Sequence, residues 1–370
     1  MIQFIRPNIP PISEWSQYIE ISYKEGRYTN FGPVHNLLEK RLTEKYGRNG
    51  REAVLVSSGT AALTAALMGL GIRGKVVIPS FTYAATAQAL LLAGCTPVFC
   101  DIDPERWELS ETSLVEVLRK EKVSAIMPVR SYGFARDFSW LERIGELHHI
   151  PVVFDSAAAL GGTLHAGIPV GNQGQMEIFS LHATKVFGVG EGGVILCPSA
   201  IAQRIRKVIA FGLSEEDVIY PGFNGKMSEF SAAIGMAVLR KIDTFVANRQ
   251  AYANKYQVAF APLEERGWIR LPYDPGRCPY QAFPIYIQVE GTESAVLLQK
   301  AKQKGLELKR YYFPAIHKTR EFSKYAENSA GLLKHTEQIA GRILCLPLYS
   351  TMEDSLIERV VEIITRILEE

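Results

Sequence analysis

Phe179-Ser180-Leu181-His182-Ala183-Thr184-Lys185 runs out of an apolar segment into small and hydroxyl residues. Val186-Phe187-Gly188-Val189-Gly190-Glu191-Gly192-Gly193 then leads into a second apolar run, residues 194–197. A lysine between two strands of buried character carries a desolvation cost unless its amine is used. The chemistry open to such an amine is covalent: Lys185 can form a Schiff base with a carbonyl cofactor. That reading requires the rest of the chain to supply the cofactor's other contacts.

Three segments offer them. Ser57-Ser58-Gly59-Thr60-Ala61-Ala62 lies between a strand and a helix. Amides at a helix N-terminus with hydroxyls beside them bind phosphate, and the same residues serve equally as an N-cap. Asp155 ends an apolar strand, the usual ligand crevice of an α/β sheet. A carboxylate there can keep a pyridinium nitrogen protonated; followed by Ser156-Ala157-Ala158-Ala159, it can also cap a helix. Tyr83, after Pro79-Ser80-Phe81-Thr82, can stack on a planar ring or pack in the core. Ser180 adds a hydroxyl for the phosphate, and His182 serves as a substrate-side acid or as a hydrogen-bonded loop residue. Residues 188–193 satisfy G-x-G-x-x-G, but a dinucleotide fingerprint follows a strand and opens a helix. Here the glycines precede a strand, so they read as a tight turn.

The elements that must position these residues are legible from residue 53 to 197. Apolar strand-like runs at 54–56, 76–79, 97–101, 124–128, 151–155 and 194–197 alternate with helical patterns at 61–70, 83–93, 112–120 and 138–148. Continuous apolar strands separated by helices indicate a mostly parallel sheet covered on both faces. Before them, residues 1–30 read as an irregular arm with one short helix, followed by an amphipathic helix from Pro33 to Gly47. After Pro198 the pattern predicts a helix to about Phe211, a Gly/Pro loop at 220–225, and a helix from Ser228 towards Arg249. A further helix at 251–266 follows, then strands at 283–289 and 306–309 and helices at 293–304 and 352–368. The domains are therefore expected at 1–245, the larger, and 246–370, a smaller α+β unit.

The bulk properties exclude several classes. A formal charge of +2 over 370 residues gives no nucleic-acid surface, and no apolar run spans a bilayer. Cys95, Cys100, Cys197, Cys278 and Cys345 are scattered without a C-x-x-C pair, so neither a metal site nor a disulfide framework is indicated. Reduced thiols and the lack of a signal-peptide pattern lead us to expect a cytoplasmic protein.

Taken together, the motifs resemble the DegT/StrS family of nucleotide-sugar aminotransferases, which are fold type I enzymes using pyridoxal 5′-phosphate (PLP). The matching segments are residues 57–63, 79–83, 154–158, 180–185, 190–193 and 222–228, with late echoes at 312–317 and 346–348. Their order and spacing cover nearly the whole chain. The resemblance implies that Lys185 is the Schiff-base lysine and Asp155 the partner of the pyridine nitrogen. It gives Ser58, Gly59, Thr60 and Ser180 to the phosphate and Tyr83 to the ring face. Asn224 matches a residue that reaches the phosphate of the neighbouring subunit, which implies a homodimer with shared sites. Glu191, His182, Lys226 and His317 are expected on the substrate side. Two departures stand out: Ala158 occupies a position near the ring where His or Gln is common, and Lys226 stands where Arg is frequent.

The implied reaction is amination of a nucleotide-linked keto-deoxysugar, a dTDP- or other NDP-4-keto-6-deoxyhexose, with L-glutamate as amino donor. Amination at C3 of an NDP-3-keto sugar is the alternative. A PLP sugar dehydratase of this fold replaces the Schiff-base lysine, usually by histidine, so Lys185 argues against it. A non-catalytic regulator would not need Lys185, Asp155 and Ser180 together.

Overall fold

The structure, a computed structural model, describes residues 1–329 and 333–370. Its centre is the sheet that the alternating pattern predicts. The strands are β1 (Arg51–Val56), β2 (Gly74–Pro79), β3 (Cys95–Cys100), β4 (Ala125–Ile126), β5 (Val153–Asp155), β6 (Met176–Ser180) and β7 (Gly193–Pro198). Two hydrogen-bonded groups, β3-β2-β4 and β5-β6-β7-β1, are joined by parallel bridges from Ile126 to Val152 and from Val129 to Asp155. In this order all pairings are parallel except those of β7, which runs antiparallel to both β6 and β1. Lys185 thus sits in the connection between two neighbouring antiparallel strands.

Residues 54–56, 76–78, 153–154 and 194–197 are all buried, because helices cover both faces. Those of this region are α1 (Ile12–Glu25), α2 (Pro33–Tyr46), α3 (Gly59–Leu70), α4 (Ala84–Leu92), α5 (Glu111–Lys120), α6 (Ser139–His148), α7 (Ser199–Val208) and α8 (Glu229–Leu239). The arm before Pro33 is more ordered than its three prolines suggest: α1 has 14 residues and closes on Gly26 in the left-handed region. Helix α7 ends at Val208, short of the expected Phe211, because Phe211 takes φ +64° and the chain turns into the hairpin β8 (Leu213–Ser214) and β9 (Asp217–Val218).

Past α8 the chain breaks at Arg240 and Lys241, then continues as α9 (Ile242–Glu265), uninterrupted through the predicted break near residue 250. The C-terminal layer pairs β10 (Ile269–Arg270), β11 (Phe283–Ile287) and β12 (Ile343–Leu346) antiparallel. Helices α10 (Ser294–Gln303), α11 (Lys334–Arg342) and α12 (Asp354–Glu369) complete it. The strand predicted at 306–309 is reduced to single bridges at its ends, Leu306 to Ile2 and Lys309 to Cys345. Phe4 joins the same apolar core as Tyr256, Phe283 and Ile343, so the first residues of the chain pack into this layer.

Candidate active site

Strand register brings the candidate residues to one edge of the sheet. Gly193 at the start of β7 is paired with both Val56 and Ser180, the last residues of β1 and β6. The turn after Val56 leads into α3. A Cβ built on Gly59 would lie 2.9 Å from the Ser180 Cβ and 3.1 Å from its Oγ, so glycine is required for this approach. Ser58 caps α3: its Oγ accepts from the Ala61 amide at 3.1 Å, and its carbonyl accepts from Ala62 at 2.9 Å. The amides of Gly59 and Thr60 have no partner among the described residues. Free amides at a helix N-terminus, with the Ser180 hydroxyl beside them, make an anion cradle. The capping and phosphate readings of this segment therefore coexist.

Asp155 is buried at the end of β5. Thr86 Oγ1 donates to its Oδ2 at 2.7 Å and the Ala157 amide to its Oδ1 at 3.1 Å. Thr86 is itself paired with Thr82 at 2.7 Å, and the Thr86 amide donates to the Tyr83 carbonyl, so one turn links Tyr83 to Asp155. Burial pushes the Asp155 carboxyl up, against the Thr86 and Ala157 hydrogen bonds and the charge of Lys185, which hold it down. Beneath it, Arg130 donates its backbone amide to the Asp155 carbonyl and its Nε to Glu177 at 3.1 Å. Ser156 Oγ donates to the same Glu177 oxygen at 2.7 Å. This buried pair, with its remaining donors used on Gln173 and the Arg136 carbonyl, fixes the strand end that presents Asp155.

Lys185 is half-buried, and its ammonium makes no hydrogen bond to a described residue. Burial lowers its pKa to about 8; the Asp155 charge opposes the change and the Arg249 charge adds to it. Arg249, on α9, is buried without a carboxylate partner among the described residues, donating to Ser350 Oγ at 2.9 Å and to the Tyr280 carbonyl at 2.7 Å. The next residue, Gln281, donates its Nε2 to the Thr184 carbonyl at 3.2 Å. The C-terminal layer therefore braces the lysine loop directly.

Tyr83 is 62% exposed at the N-cap of α4, leaving its ring face open beside the Asp155 crevice. His182 and Glu191 lie across the lysine loop with Nε2 and Oε1 3.7 Å apart, both exposed, while His182 Nδ1 is held by Thr184. Lys226 donates to Asn224 Oδ1 at 2.7 Å, and its bridge to Val56 sets the Asn224 loop next to the α3 turn of its own chain. His317 is not brought to the opening. It is buried, with Nδ1 2.6 Å from Ser80 Oγ and Nε2 3.2 Å from Glu337, and the adjacent Ile316 amide donates to the Ser80 carbonyl. These bonds make it a clamp on the turn that carries Tyr83.

Thr86, Arg130, Glu177, Arg249, Gln281 and Tyr312 belong to this neighbourhood and were not singled out from sequence. Thr86 alone left a local signal, a hydroxyl three residues beyond Tyr83 in the first turn of a helix. Among the described residues no group of His, Cys, Asp and Glu could hold a metal ion, and no helix is long and apolar enough to cross a membrane.

Residues 12–365 match the DegT/DnrJ/EryC1/StrS aminotransferase family. A dTDP-4-amino-4,6-dideoxy-D-glucose transaminase of Shigella dysenteriae is 32% identical over 365 residues, covering 98% of each chain. Among solved structures, a Bacillus cereus chain assigned as a PLP-dependent aminotransferase superposes with a TM-score of 0.92 at 29% identity, covering 98% of this chain and 99% of that one. DesI, solved in the presence of its TDP-sugar product, gives a TM-score of 0.90 at 27% identity, covering 99% and 93%.

Proposed function

Because the chain belongs to the DegT/DnrJ/EryC1/StrS aminotransferase family, a PLP-dependent family, we propose that it transfers the amino group of L-glutamate to C4 of a dTDP-linked 4-keto-6-deoxyhexose. The similarity to the Shigella dysenteriae transaminase along almost the whole of both chains supports the nucleotide and the carbon. The observation that carries the reading is the amine of Lys185, placed between β6 and β7 within reach of the charge of the buried Asp155.

The residues present fit the cofactor. The Gly59 and Thr60 amides with Ser58 and Ser180 form an anion cradle that a side chain at Gly59 would fill, and they would hold the phosphate. Asp155 would hold the pyridine nitrogen, Tyr83 the ring face and Lys185 the aldehyde carbon. When bound, PLP supplies the electron sink that lets an amino group pass between an amino acid and a ketone. Asp155 would keep the ring nitrogen protonated through its own negative charge. The Lys185 amine would accept and return the proton at the reacting carbon, and burial, which lowers its pKa to about 8, would leave a usable neutral fraction at working pH. His182, Glu191 and Lys226 border the opening on the substrate side. The enzyme works as a cytoplasmic homodimer in which Asn224 of each chain completes the other's phosphate site. Its exposure, beside exposed Phe211, Val218 and Ile219, supports that placement.

The test is mass spectrometry of products from a panel of nucleotide-linked 3-keto and 4-keto sugars incubated with glutamate. A dTDP-linked 4-amino sugar is expected, and none from Lys185→Ala. Amine on C3, or no glutamate-dependent product from any sugar, would overturn the assignment.

A further inference from the structure

PLP presents four polar positions: its phosphate, its pyridine nitrogen, its aldehyde and its phenolic oxygen. The α3 N-terminus, Asp155 and Lys185 answer the first three. The fourth needs a hydrogen-bond donor, because an oxygen bearing negative charge left without one is costly in a desolvated site.

Most donors nearby are committed. Thr86 is used on Asp155, and Thr82 on Thr86. Gln281 uses its Nε2 on Thr184, and the atom left without a partner among the described residues, Oε1, is an acceptor. The Tyr132 hydroxyl donates to the Tyr311 carbonyl. Arg249 stands on the lysine side, tied to Ser350 and Tyr280. The Tyr312 hydroxyl oxygen accepts from the Tyr132 backbone amide, and no described residue takes its proton, so it remains a donor. Its ring lies stacked on Tyr132, with centroids 5.8 Å apart at 17°, and meets Phe81 edge-on at 5.3 Å. Both neighbours are buried. Phe81 belongs to the turn that carries Tyr83. Gly133, next to Tyr132, approaches Ala158 so closely that a Cβ there would lie 2.4 Å from the Ala158 carbonyl. Tyr312 therefore comes down beside the Asp155-Ala158 turn, where the half-buried Ala158 side chain offers no polar atom.

We propose that Tyr312 is a cofactor-binding residue whose phenol donates a hydrogen bond to the phenolic oxygen of PLP. Burial and the neighbouring Asp155 charge push its pKa up, so it stays a protonated donor throughout the working range. A donor to that oxygen favours its charged form. It thereby lowers the pH at which the bound cofactor loses its titrating proton, and removing it raises that pH.

The inference rests on the Lys185 anchor proposed above and is tested on the holoenzyme. Native protein and Tyr312→Phe are titrated while the visible absorbance of the bound cofactor is followed. The midpoint is expected to rise by about one pH unit in Tyr312→Phe, and the PLP dissociation constant by about tenfold. The melting temperature of the apo form should stay within about 2 °C of native, since only a hydroxyl is lost. An unmoved midpoint overturns the proposal. So does a shift accompanied by a lower apo melting temperature, which would assign Tyr312 to packing. Lys185→Ala tests the other reading separately: if it retained the native visible band, the anchor, not Tyr312, would be misassigned.

Discussion

The reactivity of Lys185 is set first by burial and then by charges on two different layers of the molecule. Burial brings its pKa down to about 8, Asp155 from the central sheet pulls it back up, and Arg249 from α9 pushes it down. The neutral amine is the form that attacks a carbonyl, so apo-enzyme should capture PLP at a rate that rises with pH through a midpoint near 8. Arg249→Met removes a positive charge that disfavours the ammonium, so the midpoint should move up. Asp155→Asn removes a charge that favours it, so the midpoint should move down. Stopped-flow absorbance across pH measures all three, and an Arg249→Met midpoint at or below the native one would contradict the account. At this scale the sequence was readable where a residue's position carried its meaning. Lys185 and Asp155 stand at ends of apolar runs, and Gly59 and Thr60 follow a strand into an Ala-rich helix. Arg249 and Gln281 carried no such mark, and Tyr312 showed only as the first residue of the segment 312–317 that echoed the family. Each acts through a contact made only when the C-terminal layer closes on the sheet. His317 lay in a segment that echoed the family, yet its ring is spent on Ser80 and Glu337.

At the scale of elements, the Asn224 loop owes its place to the helix after it. Glu229, in the first turn of α8, is fully buried and accepts from Ser22 Oγ at 2.7 Å, the Val34 amide at 2.8 Å and the His35 amide at 2.9 Å. One carboxylate thus joins α1, the open N-terminus of α2, and α8, and a Cβ on Gly32 would fall 2.7 Å from its Cδ. Glu229→Ala leaves three donors without an acceptor in a dry site, and should cost about 3–5 kcal/mol of stability. Glu229→Gln keeps the shape and one acceptor and should cost less; urea denaturation separates the two. If Glu229→Ala unfolded with the native midpoint, this three-helix junction would not matter. The central strands were legible because each is a continuous apolar run between helices. The reversed direction of β7 was not, since strand direction depends on how the lysine loop folds back rather than on the composition of the strand. The two-residue strand β10 is too short to show periodicity, and the junction of α8 with α9 carries no proline or glycine to mark it.

For the whole molecule, the decisive question is whether one chain makes a complete site. Within a single chain the Asn224 loop bridges to β1 beside the α3 turn, yet Asn224 itself is exposed, and Lys226 is the one residue that donates to its carbonyl among those described. Phe211, at 52% exposure, and Val218, at 62%, lie in the same hairpin region, an apolar surface that suits a second copy. Shared sites have a consequence that no single-chain arrangement reproduces. Lys185→Ala and Asn224→Ala are each expected to be inactive or nearly so. In a mixed dimer, one site would combine the altered lysine of one chain with the altered asparagine of the other. The second site would combine the native lysine of one with the native asparagine of the other. Random pairing after equal mixing and reassembly makes half the dimers hybrid, and half the sites in those are intact, so about one quarter of native activity should return. If Asn224 served the site of its own chain, every site in the mixture would carry one defect and nothing would return. Separate preparations measured without mixing set the baseline, and size-exclusion chromatography with light scattering verifies that hybrids can form. Recovery near a quarter would place the lysine and the asparagine of each site on different chains, while a flat baseline from confirmed dimers would return Asn224 to its own site and leave the dimer without a catalytic reason.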